Sequence, residues 1–236
     1  MKILVACEES QRVTEQFRKK GHQAYSCDIL PQSGNHPYWH IQQDVIPLLN
    51  GDCDFKTVDG TDHHINGKWD MIIAFPPCTH LTVSGAWCFP KKRANGVQRE
   101  GIEFFCQFLN ANCDKIAIEN PVGIISGDYV KQYFPDLCEK YELPRKFSQK
   151  IQPWNFGDNY SKTTCLWLKN LPLLTPEVTE EPEIEYYEWT DKNGKKKRQD
   201  LYSYMALKNA KNSTERSIIR SKTFPGIARA MAEQWG

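Results

Sequence analysis

The chain lacks a long hydrophobic run, a sizeable net charge and any closely spaced pair of cysteines. No apolar stretch approaches the ~20 residues that a membrane helix needs, and the apolar start of the chain is too short for a signal peptide. Lys and Arg total 30 against 29 Asp and Glu, so no global field attracts a polyanion. We therefore expect a soluble, cytoplasmic protein that does not enter a membrane, in which any polyanion site is a local basic patch.

The nine cysteines do not form the pattern of a disulfide framework or a zinc site. Their number is odd, they are scattered along the chain, and none is spaced as Cys-x-x-Cys. This pattern is typical of reduced thiols in a cytoplasm. The histidines include the neighbours His63 and His64, but cysteine or carboxylate ligands at metal spacing are missing, so we predict no metal site.

Short apolar runs alternate with helical patterns along the chain. A β-branched run over residues 2–7, a helix over 14–20 and a strand over 23–28 form a β-α-β opening. The other expected elements are strands over 40–45, 69–74, 115–120 and 162–168, helices over 98–111 and 225–235, and helical segments with loops over 128–144. The alternation predicts an α/β protein with a doubly wound, mostly parallel, Rossmann-like sheet.

The composition changes from residue 172 onward. Six glutamates fall between residues 177 and 188. Asn193-Gly194 lies between two strand-like runs over 184–189 and 200–205, which is a strong hairpin signal. We expect a small inserted β-hairpin module over 172–212 and one main catalytic domain made of residues 1–171 and 213–236. Two other stretches, 50–68 and 79–99, contain many turn-forming residues and are expected to be loops, the second one mobile.

Two signals place reactive side chains at the ends of two predicted strands. Pro76-Pro77-Cys78 follows the strand that ends at Ala74, and Glu119-Asn120-Pro121 ends the next one. Because ligands of open α/β sheets bind beyond the carboxyl ends of the strands, a thiol and a carboxyl group would face one crevice. A thiolate that adds to carbon 6 of cytosine makes carbon 5 nucleophilic, and a carboxyl group at N3 stabilises the developing charge. For Cys78 alone, a buried and unreactive thiol is the simpler alternative.

These residues resemble the signature of the DNA cytosine carbon-5 methyltransferases, in which Pro-Cys follows the fourth strand and Glu-Asn the fifth. The resemblance implies a class I methyltransferase fold, S-adenosylmethionine as cofactor, and duplex DNA with a flipped cytosine as substrate. It implies that Cys78 is the nucleophile, that Glu119 supports N3, and that Asn120 orders the loop bearing Cys78. The short chain is similar to phage or bacterial enzymes of this family, which belong to restriction-modification systems.

The same resemblance assigns residues to the cofactor. Asp28 corresponds to the acidic residue on the ribose hydroxyls and Asp44 to the aspartate on the adenine amine, while residues 221–232 resemble the final motif beside the cofactor. The family's glycine-rich first turn is replaced by Cys-Glu-Glu-Ser-Gln over 7–11, so Glu8 or Glu9 is expected to hold the ammonium group. The expected cofactor residues are Cys7, Glu8, Glu9, Ser10, Asp28, Ile29, Asp44, Phe75, Pro76, Thr223 and Phe224.

DNA contacts are expected from the loop after Cys78 and from two basic runs. Ser84 lies where the family's catalytic loop closes over the substrate, and Lys162 supplies one cation where the family has two arginines. The module over 172–212 stands where the family has a much larger target-recognition domain. The expected DNA-contacting residues are Pro77, Ser84, Lys91, Lys92, Arg93, Lys162, Lys195, Lys196, Lys197 and Arg198.

Two alternatives stay open at this point. The small module and the near-zero net charge favour an enzyme that modifies a free cytidine nucleotide or a single-stranded nucleic acid. The missing glycine turn favours a catalytically inactive, DNA-binding relative. A comparison of substrates separates the first alternative from the duplex enzyme, and a measurement of cofactor binding separates the second. The recognised DNA sequence, the oligomeric state and any partner nuclease leave no signal in the sequence.

Overall fold

Alternate residues of the first strand pack into two separate apolar cores. In a computed structural model that describes residues 1–236, Ile3 and Val5 belong to one core and Leu4 and Ala6 to the other. Successive side chains of a strand point to opposite faces of its sheet. Both faces of the sheet that contains this strand are therefore covered, as the doubly wound expectation requires.

Eleven strands form one large sheet and two hairpins. In chain order they are β1 (Lys2–Ala6), β2 (Gln23–Asp28), β3 (His40–Gln42), β4 (Cys53–Lys56), β5 (Asp62–Ile65), β6 (Met71–Ala74), β7 (Ile116–Pro121), β8 (Gln149–Ile151), β9 (Thr164–Lys169), β10 (Tyr186–Thr190) and β11 (Lys196–Asp200). The large sheet has seven strands in the order β3-β2-β1-β6-β7-β9-β8. The first five of these pair in parallel, and β9 runs antiparallel to both β7 and β8. The α/β, mostly parallel, Rossmann-like expectation is confirmed.

Eight α-helices connect and cover the strands. They are α1 (Arg12–Lys19), α2 (Phe89–Ala94), α3 (Val97–Leu109), α4 (Tyr129–Tyr133), α5 (Pro135–Tyr141), α6 (Leu201–Asn209), α7 (Ser213–Ser221) and α8 (Pro225–Trp235). Helix α8 buries Ile227 and Met231 in the core that holds Ile3, while α3 buries Ile102 and Phe105 in the opposite core. None of the helices combines the length and the apolar character needed to cross a bilayer.

Both stretches that were expected to be loops contain regular structure. Residues 50–68 hold the hairpin β4–β5, whose Phe55 ring stacks on His63 at 5.2 Å and on Trp69 at 6.2 Å between ring centroids. Each strand of this hairpin buries a single apolar residue, which is too little for an alternating pattern. Residues 79–99 hold a 3₁₀ turn over Val83–Cys88, helix α2 and the start of α3. Pro90 and Gly96 lie at the starts of these two helices, where such residues are tolerated.

The hairpin predicted around Asn193-Gly194 is present, but its second strand covers 196–200 and not the expected 200–205. Strand β11 ends at Asp200, and residues 201–209 form α6 instead of a strand. The reason is a helix cap, because the Asp200 carboxylate accepts a hydrogen bond of 2.7 Å from the backbone N–H of Ser203. Strands β10 and β11 pair only with each other, outside the large sheet.

Candidate active site

A cavity of about 380 Å³ lies at the carboxyl ends of four parallel strands. Its walls come from the end of β2 and the residues that follow β1, β2, β3 and β6, together with Phe104 of α3 and, from α7 and the segment after it, Ser217, Ile218, Ser221, Lys222 and Thr223. This volume is within the range of about 300–1,000 Å³ that small-molecule sites occupy. The expected cofactor residues that line it are Cys7, Glu8, Glu9, Ser10, Asp28, Ile29, Asp44, Phe75 and Thr223.

Pro76 and Phe224 were expected at the cofactor but do not line the cavity. Pro76 is buried, and its carbonyl accepts a hydrogen bond from a neighbouring strand. Phe224 is also buried and packs on Tyr202 and Tyr160, with ring centroids 4.7 and 5.6 Å away. Both residues therefore belong to the buried interior of the protein and not to the cavity wall.

The turn after β1 lines the cavity although it contains no glycine. Cys7 and Gln11 both have φ of 58°, in the left-handed region that glycine usually occupies. A glycine in another loop, Gly34, lies close against this turn. A Cβ on Gly34 would lie 2.6 Å from the Cβ of Gln11 and 2.8 Å from the Ser10 carbonyl oxygen. The Gln11 side chain also exchanges hydrogen bonds of 2.9 and 3.1 Å with the backbone of His36.

The Glu8 carboxylate accepts hydrogen bonds at the start of helix α1. Its Oε1 accepts a hydrogen bond of 2.6 Å from Val13 N–H, and its Oε2 accepts bonds of 3.2 and 2.7 Å from the N–H and hydroxyl of Thr14. Burial raises the pKa of Glu8 to about 7, although these hydrogen bonds act in the opposite direction. Glu8 therefore satisfies the free N–H groups of a helix, which leaves Glu9 as the carboxylate available to a ligand.

Glu9 has one carboxylate oxygen without a hydrogen-bond partner. Its Oε2 accepts a hydrogen bond from the Ser33 hydroxyl, whereas its buried Oε1 has none. The Lys222 Nζ lies 3.7 Å from that oxygen and donates a hydrogen bond of 2.8 Å to Ser33 Oγ. Because an unpaired buried carboxylate oxygen is costly, this position favours a positively charged group.

Asp28 and Asp44 line the cavity and also form strand-end turns. Asp28 Oδ1 accepts a hydrogen bond of 2.9 Å from Leu30 N–H, and Asp44 Oδ1 accepts one of 3.1 Å from Ile46 N–H. Burial raises the pKa of Asp28, with a smaller opposing effect from its backbone hydrogen bonds. The turn-forming role and the ligand-binding role are thus compatible in these residues.

Cys78 lines the cavity just beyond the end of β6, and its thiol is under the influence of three charged groups. Burial raises the pKa of Cys78, and the Glu119 carboxylate raises it further, while Lys162 and Arg220 lower it. The thiol form is therefore favoured at neutral pH, and two nearby cations are placed to stabilise the thiolate when it forms.

Glu119 lies on β7, the strand next to β6. Burial raises its pKa, and the Lys162 ammonium and Thr164 hydroxyl partly offset that effect. A carboxyl group with a raised pKa keeps its proton closer to neutral pH, so it is better able to donate a hydrogen bond to a ring nitrogen. Thiol, carboxyl group and ammonium together suit covalent addition to an electron-poor ring.

Asn120 joins the two strand ends. Its side-chain Nδ2 donates a buried hydrogen bond of 2.7 Å to the carbonyl of Pro76, two residues before Cys78. The bond runs from the end of β7 to the loop after β6. It fixes the start of the segment that carries the thiol.

The basic run in α2 is partly engaged by the protein itself. The Lys92 ammonium donates a hydrogen bond to the Thr79 carbonyl, and Arg93 donates one to the Tyr129 hydroxyl and lies 3.8 Å from the centroid of the Tyr133 ring. Lys91 and Ser84 are exposed. Arg93 is therefore held by two aromatic side chains of α4.

The second basic run lies on the hairpin and does not line the cavity. The residues of the run are Lys195, Lys196, Lys197 and Arg198, and all four are exposed. Lys197 Nζ lies 3.9 Å from a carboxylate oxygen of Asp191, and the Arg198 guanidinium lies 4.8 Å from the centroid of the Tyr186 ring. Lys195 and Lys196 are therefore the members least involved in contacts of their own side chains.

Helix α7 contributes two cavity residues that no motif indicated, Ser217 and Ile218, whereas Ser221 and Lys222 belong to the stretch that resembles the final motif. Ser217, Ile218 and Ser221 line the cavity from this helix, and Lys222 follows it directly. The sequence does contain a helix-start signal, because Asn212 is followed by Glu215 three residues later. In the structure the side chain of Asn212 accepts a hydrogen bond of 2.8 Å from Glu215 N–H. Thr79 and Phe104 are further lining residues that no motif marked.

No protein-family model and no curated protein matches the chain. Among solved structures, the chain is similar to an E. coli protein encoded within a prophage and described, provisionally, as a DNA modification methyltransferase. The two are 13% identical with a TM-score of 0.42, over 87% of this chain and 63% of the other. The chain thus spans less than two thirds of that protein's length.

Proposed function

We propose that this protein is an S-adenosylmethionine-dependent methyltransferase that acts on carbon 5 of cytosine in DNA. The observation that carries the proposal is the grouping of Cys78 with Glu119 and Lys162 beside a cavity at the carboxyl ends of parallel strands. Ligands of doubly wound sheets bind at this edge. The Pro-Cys and Glu-Asn pairs of the resembled family supply the same two reactive groups.

The cavity fits the cofactor by its size and by the charge of its walls. Glu9 presents a buried oxygen that favours a cation, and Asp28 and Asp44 offer carboxylates to hydroxyl and amine donors. In the proposal these residues hold the ammonium group, the ribose and the adenine of S-adenosylmethionine. When bound, the cofactor supplies an electrophilic methyl group.

The chain's own residues carry the remaining steps. Cys78 loses its proton to solvent, and the resulting thiolate forms a bond to carbon 6 of cytosine, which moves a pair of ring electrons toward carbon 5. Glu119 donates a hydrogen bond to N3 as negative charge develops there. Once carbon 5 carries the methyl group, a base removes the proton from that carbon. The electrons then return to the ring, and the Cys78 thiolate leaves.

Two cations assist the thiol and the substrate. Lys162 and Arg220 lower the pKa of Cys78 and so favour the thiolate. The Lys162 Nζ also donates a hydrogen bond of 3.3 Å to the Arg220 carbonyl, which holds α7 near β9. In the proposal these side chains also contact the phosphates on either side of a flipped cytosine.

The experiment that tests the proposal is covalent trapping. Duplex DNA containing 5-fluorocytosine, incubated with the protein and S-adenosylmethionine, should form an adduct, because fluorine at carbon 5 cannot leave as a proton would. Peptide mass spectrometry should place the adduct on Cys78. The variant Cys78→Ala should form no adduct, whereas the control Cys88→Ala should form it normally. An adduct-free result with DNA that demonstrably binds would contradict the proposal.

A second candidate is an enzyme for single-stranded nucleic acid or a free cytidine nucleotide. It is favoured by an aromatic stack between the hairpin and α6, where the Tyr187 ring lies 3.6 Å from Tyr204 of α6 and 5.9 Å from Trp189 between centroids. Partly exposed aromatic rings beside lysines are typical of surfaces that stack unpaired bases. Initial rates of methyl transfer to duplex DNA, to the same strand unpaired, and to deoxycytidine monophosphate decide between the candidates.

A further inference from the structure

Two residues of opposite charge lie close to each other in the wall of the cavity. Glu9 comes from the turn after β1, and Lys222 comes from the segment between α7 and α8. The Lys222 Nζ lies 3.7 Å from Glu9 Oε1, which is too far for a hydrogen bond. Both residues line the cavity.

The burial of this pair makes it unusual. Only 6% of the Glu9 surface is exposed, and its Oε1 has no hydrogen-bond partner. The Lys222 side chain is 23% exposed. The two groups form an ion pair at 3.7 Å without a direct hydrogen bond, so the buried Glu9 oxygen still lacks a donor. A ligand group that carries both a positive and a negative charge can therefore contact both side chains.

The ligand chemistry that satisfies both groups is an α-amino-acid zwitterion. Such a group carries an ammonium and a carboxylate on adjacent atoms. A simple cation would satisfy Glu9 and leave Lys222 unpaired, and a phosphate would do the reverse. The Ser33 hydroxyl, which contacts both side chains, is placed to adjust its hydrogen bonds when a ligand arrives.

We propose that Glu9 binds the ammonium and Lys222 the carboxylate of the methionine part of the cofactor. This inference depends on the proposed function, because it names how the same cavity recognises S-adenosylmethionine. Lys222 thereby becomes a specificity-determining residue for ligands that carry an amino-acid carboxylate. In the absence of ligand, the two side chains partly neutralise each other.

The test is isothermal titration calorimetry with four ligands that differ at the amino-acid end. S-Adenosylmethionine and S-adenosylhomocysteine carry both charged groups, decarboxylated S-adenosylmethionine carries only the ammonium, and methylthioadenosine carries neither. Lys222→Met should weaken binding of the first two by about tenfold, equivalent to 1.4 kcal/mol. Decarboxylated S-adenosylmethionine should bind this variant at least as tightly as it binds the unaltered protein, because the Lys222 ammonium no longer competes with the ligand for Glu9.

Further variants make the pattern specific. Glu9→Gln should weaken binding of every ligand with an ammonium group and leave methylthioadenosine unchanged. Lys222→Arg should restore most of the affinity for S-adenosylmethionine, and Lys131→Met, at an exposed lysine on α4, should change nothing. Thermal unfolding of each variant checks that the fold persists.

Each outcome has a distinct meaning. Selective losses that follow the charged groups support the inference. Equal weakening of all four ligands by Lys222→Met, or no effect on any of them, overturns it while the cofactor assignment stands. If the unaltered protein binds none of the four ligands, the cofactor assignment in the proposed function fails, and the inference fails with it.

Discussion

The side-chain amide of Asn120 donates a hydrogen bond of 2.7 Å to the backbone carbonyl of Pro76. This buried contact joins the end of β7 to the loop that carries Cys78. Since water does not reach the carbonyl, no solvent molecule replaces the amide if it is removed. The position of the thiol thus depends on a residue of the neighbouring strand.

Asn120→Ala should destabilise the protein by about 1–3 kcal/mol, the cost of a buried carbonyl left without a donor. The measurement is the free energy of unfolding in urea. Asn110→Ala is the matched control, because Asn110 makes a similar side-chain hydrogen bond, of 2.9 Å to the Cys106 carbonyl, and is itself exposed. Equal effects of the two substitutions would show that the Asn120 contact has no special role.

The reactivity of Cys78 should follow the charges around it. Glu119→Gln removes a carboxylate that raises the pKa of the thiol, so alkylation by iodoacetamide near pH 8 should be severalfold faster. Lys162→Met removes a cation that lowers that pKa, so alkylation should be slower. Rates are read for each cysteine by peptide mass spectrometry. Cys53 is an internal control, because neither residue influences its pKa; parallel changes at Cys53 would argue against a local charge effect.

Glu8 should make the stability depend on pH. Its pKa is raised from 4.5 to about 7 in the folded protein, so the folded state holds this proton more tightly than the unfolded chain does. Its contribution is therefore complete below pH 4.5 and is lost as the pH rises through 7. Relative to Glu8→Gln, the free energy of unfolding should fall by up to about 3 kcal/mol across this interval. A constant difference between the two proteins would contradict the burial effect.

Gly34→Ala should disturb the first turn. A Cβ at this position would lie 2.6 Å from the Cβ of Gln11 and 2.8 Å from the Ser10 carbonyl oxygen, and the latter is backbone that cannot rotate away. We expect a loss of about 1–3 kcal/mol in unfolding free energy, as in overpacked cores. Gly127→Ala is the control, because nothing lies within 4 Å of its added Cβ. A Gly34 variant as stable as the control would indicate that the turn yields freely.

The hairpin lysines should contribute to DNA affinity in a salt-dependent way. If Lys195 and Lys196 contact phosphates, changing both to Gln should reduce the slope of log affinity against log salt by about 2. Fluorescence anisotropy with a labelled duplex at several salt concentrations measures this slope. Exposed lysines outside the hairpin, changed together as Lys131→Gln and Lys140→Gln, provide the control. An unchanged slope would remove the hairpin from the DNA-binding surface.

Several features could be predicted from the sequence because their signals are local. The apolar run before Pro76 predicts β6, the periodic pattern over 225–235 predicts α8 with the bounds observed, and Asn193-Gly194 predicts the hairpin. The pairing of β6 with β7 in parallel brings the ends of both strands to one edge. These elements follow from side-chain periodicity and turn chemistry, which a few neighbouring residues are enough to specify.

Other features were decided only by the tertiary structure. The sequence offered Glu8 and Glu9 as equal candidates, and both line the cavity, but only the tertiary structure shows that Glu8 caps α1 while Glu9 keeps one oxygen without a hydrogen-bond partner. The proximity of Lys222 to Glu9 joins residues that are 213 positions apart. Contacts of this kind depend on how whole elements pack over long loops, and no local pattern of polar and apolar residues encodes them.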